Sequence, residues 1–114
     1  MSTAATLAHH LRALGDDIDS IMIDYAESSV LFTPDGMIVG RDRIRSFFEG
    51  FLSNSPPALI EALTVTRQDI HGDVAYILWK AEPFVPLATD TFLIRDGKIV
   101  AQSFAALALP AANG

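Results

Sequence analysis

Residues 30–52, VLFTPDGMIVGRDRIRSFFEGFL, constrain the fold more than any other stretch. A short apolar run, Val30-Leu31-Phe32, leads into the turn residues Thr33-Pro34-Asp35-Gly36, and Met37-Ile38-Val39 reads as a second extended piece. After Gly40, the residues Ile44, Phe47, Phe48, Phe51 and Leu52 recur at i, i+3, i+4, i+7 and i+8, one broad apolar stripe of a helix. Arg41, Arg43 and Arg45 take the other side. A helix with three Phe on one stripe cannot stand alone in water, so a sheet has to cover it.

The rest of the chain supplies that sheet. Residues 3–14 read as a first helix with Ser2 or Thr3 as N-cap; Leu7, Leu11 and Leu14 form its apolar edge, His10 lies on that edge and His9 points elsewhere. Asp17 is a plausible N-cap for a second helix, whose stripe is Ile18, Ile21, Met22 and Tyr25; Asp19 and Asp24 sit off the stripe, in solvent. Asn54-Ser55-Pro56-Pro57 stops the third helix. Four strands follow, over residues 58–70, 74–82, 88–95 and 98–109, with turns at His71-Gly72-Asp73 and Asp96-Gly97 and a loop bracketed by Pro83 and Pro86. The tail from Pro110 reads as frayed. Helices first and strands afterwards mean an α+β domain, three helices packed on one face of a mostly antiparallel sheet.

At 114 residues the chain is one domain, and with half its residues hydrophobic and 19% charged it has a core to bury. A net charge of −6 argues against nucleic acid, which needs clustered Lys and Arg. There is no cysteine, so disulfides, thiolate metal sites and cysteine nucleophiles are excluded. His9 and His10 diverge on a helix and His71 lies in a distant turn, so no metal site is expected, nor any other cofactor. No glycine-flanked serine elbow supports a serine triad. No apolar run is long enough for a membrane span, and residues 1–17 lack the basic and apolar regions of a secretory signal; cytoplasmic residence is the expectation.

One ordered set of short motifs carries a resemblance: Asp24-Tyr25-Ala26-Glu27 before Val30-Leu31-Phe32, then Thr33-Pro34-Asp35-Gly36, Gly40-Arg41, Ile44-Arg45-Ser46-Phe47-Phe48, Gly72-Asp73-Val74-Ala75-Tyr76, Trp79, Asp90-Thr91-Phe92 and Asp96-Gly97-Lys98-Ile99. The chain, from about Leu7 to Phe104, resembles nuclear transport factor 2-like domains of the bacterial SnoaL-like and ketosteroid-isomerase-like branch. The resemblance implies a cone-shaped α+β barrel, its curved sheet wrapped round a cavity that the helices close, and a homodimer through the outer sheet face. The fold hosts isomerases, cyclases, dehydratases and non-catalytic binders alike, so it does not by itself name a reaction.

Site residues carry over position by position. Ketosteroid isomerases use a carboxylate base after the first strand, with a tyrosine and a protonated aspartic acid as oxyanion donors. The base position here is Thr33, which cannot serve as a carboxylate; Asp35, two residues on, is either a displaced base or ordinary turn chemistry. The tyrosine position is His10 if one residue is deleted before Gly15 and His9 otherwise, and periodicity favours His10. His10 is then either a general acid, base or hydrogen-bond donor in the cavity or a half-buried helix-edge histidine. Asp90 matches the strand aspartate; facing the cavity it would have a raised pKa, and Phe92 and Ile94 would share its face. The alternative is an Asp at a strand end.

Trp79 pairs with Asp90 in the cavity if the intervening hairpin is centred between Phe84 and Val85; a one-residue shift turns Trp79 towards a dimer interface. We take the cavity-facing register. Gln102 and Phe104 belong to the inner face of the last strand, and Tyr25 puts its hydroxyl at the cavity edge. The expected occupant is a small hydrophobic molecule. The readings left open are a cofactor-free isomerase, cyclase or dehydratase working through His10 and Asp90, a non-catalytic binding module, and a dimeric scaffold whose own side chains fill the cavity.

Overall fold

A helix-to-strand switch at Tyr25 sets the architecture of the computed structural model, which describes residues 1–107. The elements are α1 (Thr3–Ala13), α2 (Ile18–Met22), β1 (Tyr25–Thr33), β2 (Gly36–Val39), α3 (Arg41–Asn54), α4 (Pro57–Ala62), β3 (Thr64–His71), β4 (Val74–Ala81), β5 (Val85–Arg95) and β6 (Lys98–Leu107). They form one six-stranded sheet in the order β2-β1-β6-β5-β4-β3. Only β1 and β6 run parallel; every other pair is antiparallel.

Register shifts interrupt the β1–β6, β3–β4, β4–β5 and β5–β6 ladders. Such bulges bend and twist a sheet. The result is a curved sheet, not closed, with β2 and β3 as its edges and helices on the concave side. Ile44 and Phe48 of α3 are buried there together with Leu7, Leu31, Ile77, Phe92 and Ile94, which confirms the stripe that required a sheet. Ser2 caps α1 by accepting from the Ala5 amide, and Asp17 caps α2 by accepting from the Ser20 amide.

Two local expectations are corrected. The second helix ends at Met22, not Tyr25: the Ile99 amide donates to the Asp24 carbonyl at 2.6 Å, and Tyr25 pairs with Ile99 as the first residue of β1. Residues 58–70 are not one strand, because α4 occupies Pro57–Ala62 and brings the helices to four. A proline ends one helix and can open the next, since at the first helical position its missing N–H is not needed. Leu59 of α4 is buried with Ala81, Val85 and Ala88, closing that end of the sheet. The fifth strand also starts at Val85, so Pro86 lies within it. The expected frayed tail, and the last two residues of the 98–109 strand, lie outside the described residues.

Among the described residues, no helix covers the convex face. Phe32, Ser103, Thr91 and Tyr76 form a row across β1, β6, β5 and β4, and the exposed Leu87 and Leu107 face each other at the far end.

Candidate functional site

Alternation on β5 decides what enters the hollow. Ala88, Asp90, Phe92 and Ile94 are all buried, so one face of the strand carries a carboxyl among apolar side chains. The neighbouring strands bring a donor on each side. Ile77 pairs with Asp90 and Trp79 with Ala88, which sets Trp79 diagonal to Asp90; Phe104 pairs with Asp90 and Gln102 with Phe92, which sets Gln102 on the other diagonal. The β4–β5 pairing is offset by two residues from the expected one. Two residues preserve the pleat's parity, so Trp79 faces the cavity as expected.

Both diagonals are hydrogen bonds. Trp79 Nε1 donates to Asp90 Oδ1 at 2.7 Å and Gln102 Nε2 donates to Oδ2 at 2.8 Å. The buried Tyr25 hydroxyl donates to Gln102 Oε1 and so holds the amide in this orientation. Burial pushes the Asp90 carboxyl up to about 6, and the bonds from Trp79 and Gln102 pull only partly against it. Asp90 therefore changes protonation close to neutral pH, the range in which one carboxyl can both give and take a proton. Burial, then the charges of Asp90 and Asp24, push the Tyr25 hydroxyl well above its ordinary value, so it remains a donor.

His10 enters from α1. It is buried, with its ring edge-on to Phe92 at 5.5 Å, Tyr25 at 5.8 Å and Phe48 at 6.1 Å between centroids. Burial first, and the neighbouring His9 second, lower its pKa to about 4, so the imidazole is uncharged at neutral pH. Its Nδ1 is buried with no hydrogen-bond partner. His10 makes no hydrogen bond to Asp90, but both line one cavity.

That cavity has a volume of about 130 Å3. A cavity of roughly 150 Å3 holds benzene, so there is room for about one six-membered ring. This is tighter than the several hundred Å3 of a typical ligand site, because Phe47, Phe51 and Phe104 also reach in. His10, Asp90, Phe92 and Gln102 are the buried floor; Leu11, Leu14, Phe51 and Leu63, all partly exposed, make the mouth between the C-terminal ends of α1 and α3 and the end of α4.

Among the site residues read from the sequence, His10, Trp79, Asp90, Phe92, Gln102 and Phe104 all line this cavity. Tyr25 stands one residue behind it, through Gln102. Thr33 does not reach it. Its Oγ1 accepts from the Asp35 and Gly36 amides and donates to the Gly36 carbonyl, holding the β1–β2 turn, and Asp35 is exposed in that turn. Thr33 is therefore not among the residues that line this cavity.

Asp24 is the residue that sequence reasoning missed. Read as solvated, it is buried, and His9 Nδ1 lies 2.8 Å from both of its carboxyl oxygens. Its pKa is raised, by burial first, with the bond from His9 opposing. The helical period that placed Asp24 in water stops applying at Met22, where the helix ends.

No family model matches the chain, and no curated protein matches it in sequence. Solved structures do match. A SnoaL-like protein of unknown function from Burkholderia thailandensis superposes with a TM-score of 0.78 at 16% identity, over 92% of this chain and 94% of that one. An NTF-2 like protein of unknown function from Burkholderia xenovorans gives 0.75 at 18%, over 98% and 88%. IdmH of Streptomyces antibioticus, described as a candidate polyketide cyclase, gives 0.75 at 17%, over 93% and 92%. At these identities the likeness is one of fold. The chain has the nuclear transport factor 2-like fold.

Proposed function

We propose that the cavity binds a small apolar molecule of about one ring and moves a proton on it without a cofactor, as an isomerase, cyclase or dehydratase does. The observation that carries this is a carboxyl titrating near 6 on the floor of an apolar hollow, with an uncharged imidazole in the same wall. Its two hydrogen bonds come from neutral donors, which favour the ionised form but only partly offset the burial that favours the protonated one. IdmH, with the same fold, is described as a candidate cyclase, which agrees with the reading and goes no further.

The second reading, a binder without chemistry, is favoured by the absence of a carboxylate at the position that aligns with the family's base, which here is Thr33, in the β1–β2 turn outside the cavity. One experiment separates them. Trp79 is the only tryptophan and bonds to Asp90, so its fluorescence reports occupancy of the cavity by a single-ring ketone. Proton NMR in D2O then reads exchange at the carbon next to the carbonyl. The enzyme reading expects exchange that Asp90→Asn abolishes while binding persists; binding with no exchange above the buffer rate leaves only the binder.

The convex row Phe32, Ser103, Thr91 and Tyr76 carries no charge of its own and is bordered on β3 by the Arg67–Asp69 ion pair, and the proposed assembly is a homodimer through that face. Sedimentation equilibrium of Phe32→Glu against the parent chain tests it. Dimer for the parent and monomer for the variant is the expected result; a parent monomer at tens of micromolar removes the proposal.

A further inference from the structure

We propose that Asp24 is a positioning residue for His10: its carboxylate, held by His9 in the resting protein, turns to pair with the His10 imidazole when that ring takes up a proton. The proposal rests on the acid/base reading of the cavity for its purpose, but its test needs no substrate.

The geometry carries it. His10 Nδ1 lies 3.9 Å from Asp24 Oδ2, and both side chains are 2% exposed. That separation is too long for a hydrogen bond and short enough that a shift of about 1 Å would make one. Meanwhile Nδ1 is sealed from solvent and bonded to nothing, and Thr6 Oγ1, one turn earlier on α1, is likewise buried without a partner. A buried ring nitrogen left unpaired 3.9 Å from a carboxylate is unfavourable and rare in native structures, and a turn of that carboxylate would satisfy it. A carboxylate has the means to supply it, since rotation about its last bond is soft.

Among the described residues, no other group near His10 is placed to do this. On α1, His9 opposes a charge on His10, and Arg12 acts on Asp24 instead. Lys98 of β6 acts on Asp24 as well. From β1 comes the Tyr25 hydroxyl, committed to Gln102; from α3 comes the Phe48 ring; from β5 come Phe92 and the carboxyl of Asp90, which is committed to Trp79 and Gln102. Asp24 is therefore the anion available to a charged His10. With Nδ1 turned to Asp24, the other ring nitrogen is the one left to the cavity. It takes the proton that the bound molecule releases and returns it afterwards, so the ring ends uncharged and Asp24 goes back to His9.

The competition between His9 and His10 is what the experiment reads. The three histidines are followed by NMR through a pH titration of the full chain, in the parent, in His9→Ala, in Asp24→Asn and in the double variant. Removing His9 frees Asp24, so His10 is expected to titrate about one pH unit or more higher in His9→Ala, the size of effect an opposite charge at this range produces. Removing His9 also removes its repulsion, and the double variant isolates that part. If the rise from Asp24→Asn to His9→Ala/Asp24→Asn is much smaller than that from the parent to His9→Ala, the carboxylate caused the difference. If the rise in the double variant, measured against Asp24→Asn, is as large as that in His9→Ala against the parent, or if no rise occurs in His9→Ala, the proposal is overturned. Should Asp24→Asn not fold, a crystal structure of His9→Ala at a pH where His10 is charged decides: Nδ1 to Oδ2 within about 3.2 Å supports the pairing, and an unchanged 3.9 Å refutes it. Absence of ketone exchange in the parent would end the acid/base reading and leave this titration result standing on its own.

Discussion

Phe92→Ala is expected to lose about 3–5 kcal/mol of folding stability, the range for removing a buried aromatic ring from a packed core. Phe92 is 1% exposed and sits where three layers meet. Its ring lies edge-on to His10 from α1, its strand partners are Ala75 on β4 and Gln102 on β6, and its own strand holds Asp90 two residues away. Truncation leaves a void beside an uncharged imidazole and a buried carboxyl, and water entering it would ease the desolvation that perturbs both. Stability and titration should therefore move together: a loss of that size in urea unfolding, with Asp90 and His10 both shifting towards their ordinary values. Since a domain of this size has about 5–15 kcal/mol in total, the variant should remain folded only marginally. A loss under 1 kcal/mol would mean that the ring is not part of the core. Phe104→Ala, at a partly exposed position on the same wall, should cost less.

The second large effect is hidden in the parent protein and appears only in variants. Asp90 ionises near 3.8 when unfolded and about 6 when folded, so its protonated form favours the native state. That contribution is complete below pH 3.8 and is lost as pH rises through 6. His10 is the reverse: it titrates at 6.5 unfolded and about 4 folded, so its contribution is complete above pH 6.5 and is lost as pH falls through 4. Each shift corresponds to about 3 kcal/mol, and between pH 4 and 6 the two slopes are opposite and nearly equal, at about 1.4 kcal/mol per pH unit. Asp24, raised by burial, adds in the sense of Asp90. The parent chain should therefore show a nearly flat stability across this window. Asp90→Asn should lose about 3 kcal/mol as pH falls from 6.5 to 4, and His10→Gln should gain a similar amount over the same interval. The measurement is urea unfolding at half-unit pH steps. Two variants that simply run parallel to the parent would show that neither group is desolvated in the native state.

Where the sequence was legible, periodicity was the reason. The α3 stripe, the β5 alternation that turns Asp90 and Phe92 inwards, and the helix edge carrying His10 are all repeats of 3.6 or 2 residues, and a repeat assigns a face without knowing the partner. Parity even absorbed an error: the expected β4–β5 register was off by two residues, yet Trp79 faced the cavity because an even shift preserves the face.

The misreadings cluster where a repeat ends. Asp24 was placed in water because the α2 period was extended three residues past Met22, to Tyr25, and the bond from the Ile99 amide that draws the chain into the sheet comes from the far end of the sequence. Pro57 was read only as a stop, although Leu59 needed the Ala81, Val85 and Ala88 surface that makes a helix worth forming there. Thr33 was aligned with a catalytic position, but its hydroxyl is spent within its own turn.

The amino-acid order alone was enough for the class of fold and for which face each long element buries, because those follow from local repeats and from the need to hide apolar surface. Three features needed the folded chain: the two neutral donors on Asp90, the size of the hollow, and the carboxylate standing between two histidines. Each depends on atoms brought within about 4 Å from segments 11 to 77 residues apart, and no local pattern carries a distance of that kind.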